Sequence, residues 1–537
     1  MSNLLVLNLL IQTNPVVRYF LRIFHKDPFR GIYQANGFDL SILIPYFTIL
    51  GILSIYGLHR YYLTFLYLKN RNKAPRPLER FDSLPRVTVQ LPIYNERYVA
   101  ERLLDSVTRI DYPREQLEIQ VLDDSTDETR IICSQLVAEY ARAGVPISYC
   151  HRENREGFKA GALAEGLKKA TGEFIAIFDA DFAPPPSILR DMVHYFTDPQ
   201  VAVVQGRWTW INRHTSNLTE VEAIMLDGHF VIEHGARNFS GRFFNFNGTA
   251  GMWRRSAIVD AGGWQHDTLT EDLDLSYRAQ LKGWQFVYLP DVVSPAEVPV
   301  EMNAFKSQQH RWAKGSIQTA RKLLPRILRS DLSREVKVEA FFHLTANFTY
   351  PLMILLTVLM PVSMVIRFKH GWYEVLMLDL PFFWTATMSV VMFYIASQRE
   401  IGMPLWHRVK YLPFIMALGI GMCVNQSRAV IEAMVGYETG FTRTPKTGMQ
   451  GRDRSWLKKK YRTLLTAQPL LELALGAYLT SAIWFALDKG VYFSLPFLLL
   501  FQWGFFYVGL VSLLQGRIGQ LLRWMRRPAD DVAAALE

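Results

Sequence analysis

Cysteine is nearly absent. The chain has three in 537 residues, Cys133, Cys150 and Cys423, scattered and odd in number. That excludes a disulfide framework and a cysteine-based metal centre. A phosphate-binding loop of the Walker type is missing as well. The glycine-flanked REGFKAGAL, 155–163, lacks that spacing and is no kinase-type loop. No internal repeat and no low-complexity tract is present, so packed domains are expected throughout. Charged residues make up only 20% of the chain, and several long stretches carry almost none. Acidic residues number 49 against 59 basic ones, a net charge of +10. The excess would suit nucleic acid, but it gathers beside apolar stretches, as positive-inside topology requires of a membrane protein. The first apolar run precedes its arginines, the reverse of a cleavable signal.

What is present falls into distinct regions, and the length suits two or three domains. Residues 39–58, DLSILIPYFTILGILSIYGL, are long enough to cross a bilayer, and the basic LKNRNKAPRPLER follows at once. From about Pro85 to Gln308, short apolar runs (RVTVQLPI, LEIQVLDD, GEFIAIFDA, VAVVQ) alternate with charged helical stretches. That pattern predicts an α/β domain with a largely parallel sheet covered on both faces. Apolar spans return at about 346–367, 377–396, 464–486 and 490–514. Segment 411–434 begins apolar, but GMCVNQSRAVIEA is half polar and both flanks are basic, so it reads as interfacial or re-entrant. Five crossings follow, with the RWMRRPADDVAAALE tail inside and the N-terminus outside. Arg18, Arg22 and Lys26 conflict with an outside N-terminus unless residues 1–24 form an interfacial helix.

The resulting division is 1–84 for an interfacial helix and first span, 85–300 for the α/β domain, and 301–345 for interfacial helices. A hairpin of spans over 346–397, the re-entrant region 398–463, and a hairpin with tail over 464–537 complete it.

Several motifs sit where an α/β sheet binds ligands, beyond the carboxyl ends of its strands. LDDSTDET, 122–129, offers acidic and hydroxyl groups for a base or ribose, although Ser125 and Thr126 would equally cap a helix. In IAIFDADF, 175–182, four residues deliver Asp179 and Asp181 to a strand end. Like charges so spaced call for a cation, and oxygen-only ligands favour Mg²⁺ or Mn²⁺. In TLTEDLDLSYRAQLKGW, 268–284, Thr270 reads as an N-cap, with Glu271 and Asp272 in the first helical turn. A carboxylate there also suits a general base. Lys159 lies in a turn entering a helix, placed to meet a diphosphate. In FNFNGTAGMWRR, 244–255, small and polar residues let backbone approach a ligand. Finally, QQHRWAKGS, 308–316, puts Gln308, Arg311 and Trp312 on one helical face, either as a chemical site or as a membrane anchor.

LDDSTD, DAD, TED and QQHRW in this order, within one α/β domain beside apolar spans, resemble the processive family 2 glycosyltransferases, the group of cellulose, chitin and hyaluronan synthases. GFKAG, FDADF, FNFNGTAG and GGW bring the likeness nearest to the plant cellulose-synthase-like A and C families, makers of mannan or glucan backbones, and to bacterial relatives. It is strong over 85–320 and extends to GFTRTPKTG, 440–448, similar to that family's gating loop.

The resemblance implies a cytosolic GT-A (Rossmann-like) domain fused to a helical transmembrane region of the plasma or inner membrane. It implies a nucleotide-sugar donor, UDP-glucose or GDP-mannose, a growing glycan acceptor, and Mg²⁺ or Mn²⁺. Under it Asp124 meets the base or ribose, Lys159 and Arg311 meet the donor, and Asp179 and Asp181 hold the diphosphate through the metal. Asp272, beside Glu271, is the base. Gln308, Trp312, Asn247 and Gly248 frame the acceptor, and Phe441, Thr444 and Lys446 close over the nucleotide. Arg443 and Thr447 stand where cellulose synthases have valine and glycine, and VQGRW, 204–208, replaces their Gln-Thr-Pro-His, which argues against cellulose as the product. Two other readings fit part of the pattern: a transferase adding one sugar to a lipid, and a transporter or scaffold with a degenerate nucleotide-binding domain.

Overall fold

The computed structural model describes residues 34–73, 75–372, 378–438, 444, 446, 448 and 467–524, with side chains to residue 515. Arg18, Arg22, Lys26, Phe441 and the C-terminal tail lie outside the described residues.

Seven strands form one sheet: β1 (Val87–Ile93), β2 (Leu117–Asp123), β3 (Ile147–His151), β4 (Phe174–Ile177), β5 (Val201–Trp210), β6 (Gly251–Arg254) and β7 (Gln285–Ala296), in the order β3-β2-β1-β4-β6-β5-β7. All pairings are parallel except those of β6, which runs antiparallel to both β4 and β5. The short apolar runs follow from burial on both faces. In β4, Phe174 and Ala176 enter one core while Ile175 and Ile177 enter the other. A strand wetted on neither side has no use for alternating polar residues. β3 and β7 lie outside the four runs named from the sequence, and so does β6, which occupies the second half of the stretch expected only to approach a ligand. Its GMWR is four residues long with its alternation hidden, because Met252 and Trp253 are also buried on opposite faces.

Beyond the sheet, Met302–Arg329 forms a 28-residue helix carrying QQHRW. Among the described residues, five helices are long and apolar enough to cross a bilayer: Gly37–Asn70, Arg334–Lys369, Asp379–Glu400, Gln468–Asp488 and Tyr492–Gln515. Each overlaps one of the five spans read from the sequence. The awkward segment is a helix pair, Leu405–Gly421 and Cys423–Val435, bent by 41°. Its second half is polar because it packs on the QQHRW helix. The Asn425 side-chain amide donates to the Lys306 carbonyl at 2.9 Å, and Glu432 accepts from Lys314 at 3.0 Å.

The sequence reading passed over internal charges of the spans: Arg367 and Asp379 form a buried two-pronged pair at 2.9 Å, and a second buried pair involves Glu472. Glu472, four residues into the Gln468–Asp488 helix, is 0% exposed. Both its oxygens accept from Lys306 Nζ, at 2.7 and 2.8 Å. The pair fastens the QQHRW helix to the apolar bundle. Removing one partner of a buried pair strands the other charge, whereas removing both does not. Glu472→Leu should therefore destabilise the protein by about 3–5 kcal/mol, and Lys306→Met/Glu472→Leu should recover most of that. Denaturant titration in detergent micelles measures both, and equal loss in the single and double variants would contradict the pairing.

Candidate active site

The strand ends and the QQHRW helix enclose a cavity of about 190 Å³. Of the residues singled out in the sequence, Asp124, Lys159, Asp179, Asp181, Asn247, Glu271, Asp272, Gln308, Arg311, Trp312, Thr444 and Lys446 all line it. Gly248 lies just behind the wall, and Phe441 falls outside the described residues.

The helix Glu271–Leu281 begins where β4 and the 244–250 segment end, which brings its first turn into the cavity. Thr270 occupies the N-cap position, but its hydroxyl makes no capping bond. It packs instead against Gly315 of the QQHRW helix. A methyl group at Gly315 would stand 2.5 Å from Thr270 Cγ2, so glycine is what lets the two helices touch there. Ser125 and Thr126 are not helix caps either. Their hydroxyls accept from the backbone N–H and side-chain amide of Asn95, at 2.8 and 3.2 Å, because the following helix starts only at Thr129.

Asp272 Oδ1 accepts the Leu273 N–H at 2.8 Å. Its other oxygen faces Gly248, where a Cβ would lie 2.9 Å from Oδ2 and 3.3 Å from Lys159 Nζ. Gly248 also has φ +77°, so both backbone conformation and space demand glycine. Burial, and then the neighbouring Glu271 carboxylate, push the Asp272 carboxyl up to about 7. A group held near neutrality is suited to proton transfer.

Lys159 enters from the turn at Gly157, as expected, on the helix Phe158–Lys169. Its ammonium donates to Asp179 Oδ1 at 2.6 Å and to the Gly248 carbonyl at 2.9 Å. Burial alone would lower this ammonium, yet Asp179 and Glu271 hold it above its usual range. Lys446 does for Asp181 what Lys159 does for Asp179, donating to Oδ2 at 2.7 Å. Burial opposes its charge, and Asp181 again raises it. Asp124 is held by a two-pronged contact from Arg152, Nε to Oδ1 at 2.8 Å and Nη2 to Oδ2 at 2.6 Å.

Asp179 and Asp181 offer oxygen donors only. Among the described residues no cluster of three His, Cys, Asp or Glu is placed to cage a metal. The pair thus fits an ion such as Mg²⁺ or Mn²⁺, which takes few protein ligands and completes its shell with phosphate oxygens and water.

Other residues of the cavity escaped the sequence reading. Arg155 stacks over the Tyr94 ring, 3.4 Å from its centroid. Glu297 accepts from Arg102 at 2.7 Å and from the Gly448 N–H at 3.1 Å, tying the loop after the bent helix pair to the sheet. His229 and His234, on a π-helical turn over Gly228–His234, hold the side chain of Asn247. Trp208 and Trp210 complete the wall. Tyr94, Glu297 and the tryptophans all stand at or just past the carboxyl ends of strands, the one signal that would have found them.

Known proteins fit this arrangement. A family model described as "Glycosyltransferase like family 2" matches residues 85–315. Glucomannan 4-beta-mannosyltransferase 1 of rice (Oryza sativa subsp. japonica) is 34% identical over 462 residues, 80% of this chain and 82% of that one. Glucomannan 4-beta-mannosyltransferase 2 of Arabidopsis thaliana is 43% identical over 256 residues, 46% of this chain and 47% of that one. A solved mannosyltransferase from Pyrobaculum calidifontis, in complex with GDP-Man and Mn²⁺, shares 22% identity and a TM-score of 0.45, covering 66% of this chain and 98% of that one. With the rice protein matched along four fifths of both sequences and the acidic motifs in one cavity of a mixed α/β sheet, the chain belongs to glycosyltransferase family 2 and carries its GT-A fold.

Proposed function

We propose that the protein is a membrane-embedded, inverting and processive transferase that builds a β-linked mannan or glucomannan from GDP-mannose. UDP-glucose would be the donor for any glucosyl units. One observation carries the reading: the Asp272 carboxylate, Lys159 and Asp179 converge around Gly248, with Trp312 and Arg311 lining the same cavity. The names of the rice and Arabidopsis relatives support mannosyl transfer, and the five long apolar helices support a product path through a membrane.

In this mechanism Trp312 presents a flat face to the terminal sugar of the acceptor, and Gln308 and Asn247 contact its hydroxyls. Asp272 Oδ2, the oxygen facing Gly248, takes the proton of the attacking hydroxyl, and the anomeric centre inverts from α to β. Asp179 and Asp181 would hold Mg²⁺ or Mn²⁺, whose chemistry there is to offset diphosphate charge. Lys159 and Arg311 add cations on the leaving-group side, where electrostatic stabilisation is usually the largest contribution. Lys446 and Thr444 face the nucleotide from the loop after the bent helix pair, and Asp124 lies toward the base. On this reading the catalytic domain faces the cytosol, where nucleotide sugars are supplied.

The purified protein, given GDP-mannose or UDP-glucose with Mn²⁺ or Mg²⁺, should incorporate mannose into a polymer cut by endo-β-mannanase. Absence of incorporation from either donor would refute the function, and a single added sugar would refute processivity.

Asp272→Asn should lower transfer by about 10²–10⁴-fold while leaving donor binding by calorimetry nearly unchanged. Because the base acts ionised, kcat/KM of the parent should fall as pH drops and reach half its plateau near about 7. A flat profile from acid to alkaline pH would count against the assignment.

Asp181→Ala removes one of two metal-facing carboxylates and the anchor of Lys446. Mn²⁺-dependent donor affinity should drop at least about tenfold in titration, the worth of one charged hydrogen bond. Unchanged affinity would place the metal elsewhere.

A further inference from the structure

Glu222 has no part in the chemistry above, and its placement is costly. It lies on the helix Asn217–Asp227, 1% exposed. Neither of its carboxyl oxygens has a hydrogen-bond partner among the described residues. Buried polar atoms are nearly always satisfied, so two orphaned oxygens on one side chain call for an explanation. Burial pushes its carboxyl well above the usual range, with Lys446 pulling only partly the other way.

The surroundings say where a partner would come from. Leu226, one turn along the same helix face, lines the active-site cavity. The field of Glu222 reaches Lys446 on the cavity side and Tyr507 on the last long apolar helix on the other. Val221, next to it, packs with Phe305 of the QQHRW helix and Val508. Glu222 therefore stands behind the cavity lining, between Leu226 and the apolar bundle, with Lys446 and Tyr507 as polar neighbours.

Apolar side chains interspersed with a few polar groups suit a sugar chain, whose rings have apolar faces and whose rims carry hydroxyls that both donate and accept. A cationic ligand fits less well, since the nearby ammonium of Lys446 would repel it. We propose that Glu222 is an acceptor-chain contact, hydrogen-bonding hydroxyls of sugar units behind the terminus that sits on Trp312. The inference rests on the glycan-synthase reading and adds to it a direction: the chain passes the Leu226–Glu222 face on its way from the cavity to the apolar helices.

The test uses the full chain in detergent, GDP-mannose as donor, and β-1,4-manno-oligosaccharides of increasing length as acceptors. In the parent, KM should fall with length once a unit reaches Glu222. In Glu222→Leu, KM for the longer acceptors should rise about tenfold, the equivalent of one or two hydrogen bonds, while that for the shortest stays put. Glu222→Gln, which keeps a donor and an acceptor, should restore the length dependence. A purely structural role predicts a lower melting temperature and an unchanged length dependence in Glu222→Leu, whereas the contact predicts an equal or higher melting temperature and a lost length dependence. Identical length dependence in the parent and Glu222→Leu would overturn the proposal and leave buried water as the partner. Binding of the same oligosaccharides, followed by tryptophan fluorescence without donor, separates the two levels of the argument. If the parent binds long chains better than Glu222→Leu yet transfers nothing, the function reading fails and the contact stands. If neither binds, the contact fails too.

Discussion

Asp179, Asp181, Glu271 and Asp272 share one cavity, and the repulsion among these four carboxylates is the constraint around which the rest is arranged. Lys159 meets Asp179, Lys446 meets Asp181, and Arg311 lines the same space. These cations come from three separate places in the chain: a turn before a helix, a loop after the bent pair, and the QQHRW helix. Each of those elements is thus drawn to the same point. Burial, and then the adjacent Glu271, lift Asp272 toward neutrality, which fits it for proton transfer. Under the proposed function, the cations that hold these carboxylates in balance are the same ones a diphosphate would engage.

The QQHRW helix joins that balance to the membrane. One of its faces gives Gln308, Arg311 and Trp312 to the cavity. Elsewhere along its length, Lys306 binds Glu472 of a long apolar helix, and Lys314 binds Glu432 of the bent pair. Amphipathic basic-aromatic helices often serve only as anchors. This one is buried on several sides, and its polar residues are spent on specific partners rather than on headgroups.

Much of this was legible in the residues, for identifiable reasons. The strand runs were readable because burial on both faces leaves continuous apolar sequence, and the acidic motifs because they stand where those runs stop. Helical spacing put Gln308, Arg311 and Trp312 on one face but left a membrane anchor open, and it was the resemblance that chose between the two. What escaped depends on contacts between distant segments. Nothing near Arg152 announces that it will take Asp124, and nothing near Thr270 says that Gly315 will occupy the place of its capping bond. β6 was hidden because four residues are too few to show a period. The polar half of the bent pair packs on the helix that carries Lys306 and Lys314, a partner its local sequence does not name.

The bare Cα of Gly315 against Thr270 has a mechanical corollary. Trp312 is three residues away on one helix, and Asp272 lies in the first turn of the other. The Thr270 side chain bears directly on the Gly315 backbone with no room for a further carbon between them, so the stretch that carries Trp312 and the turn that carries Asp272 are seated against each other at that contact.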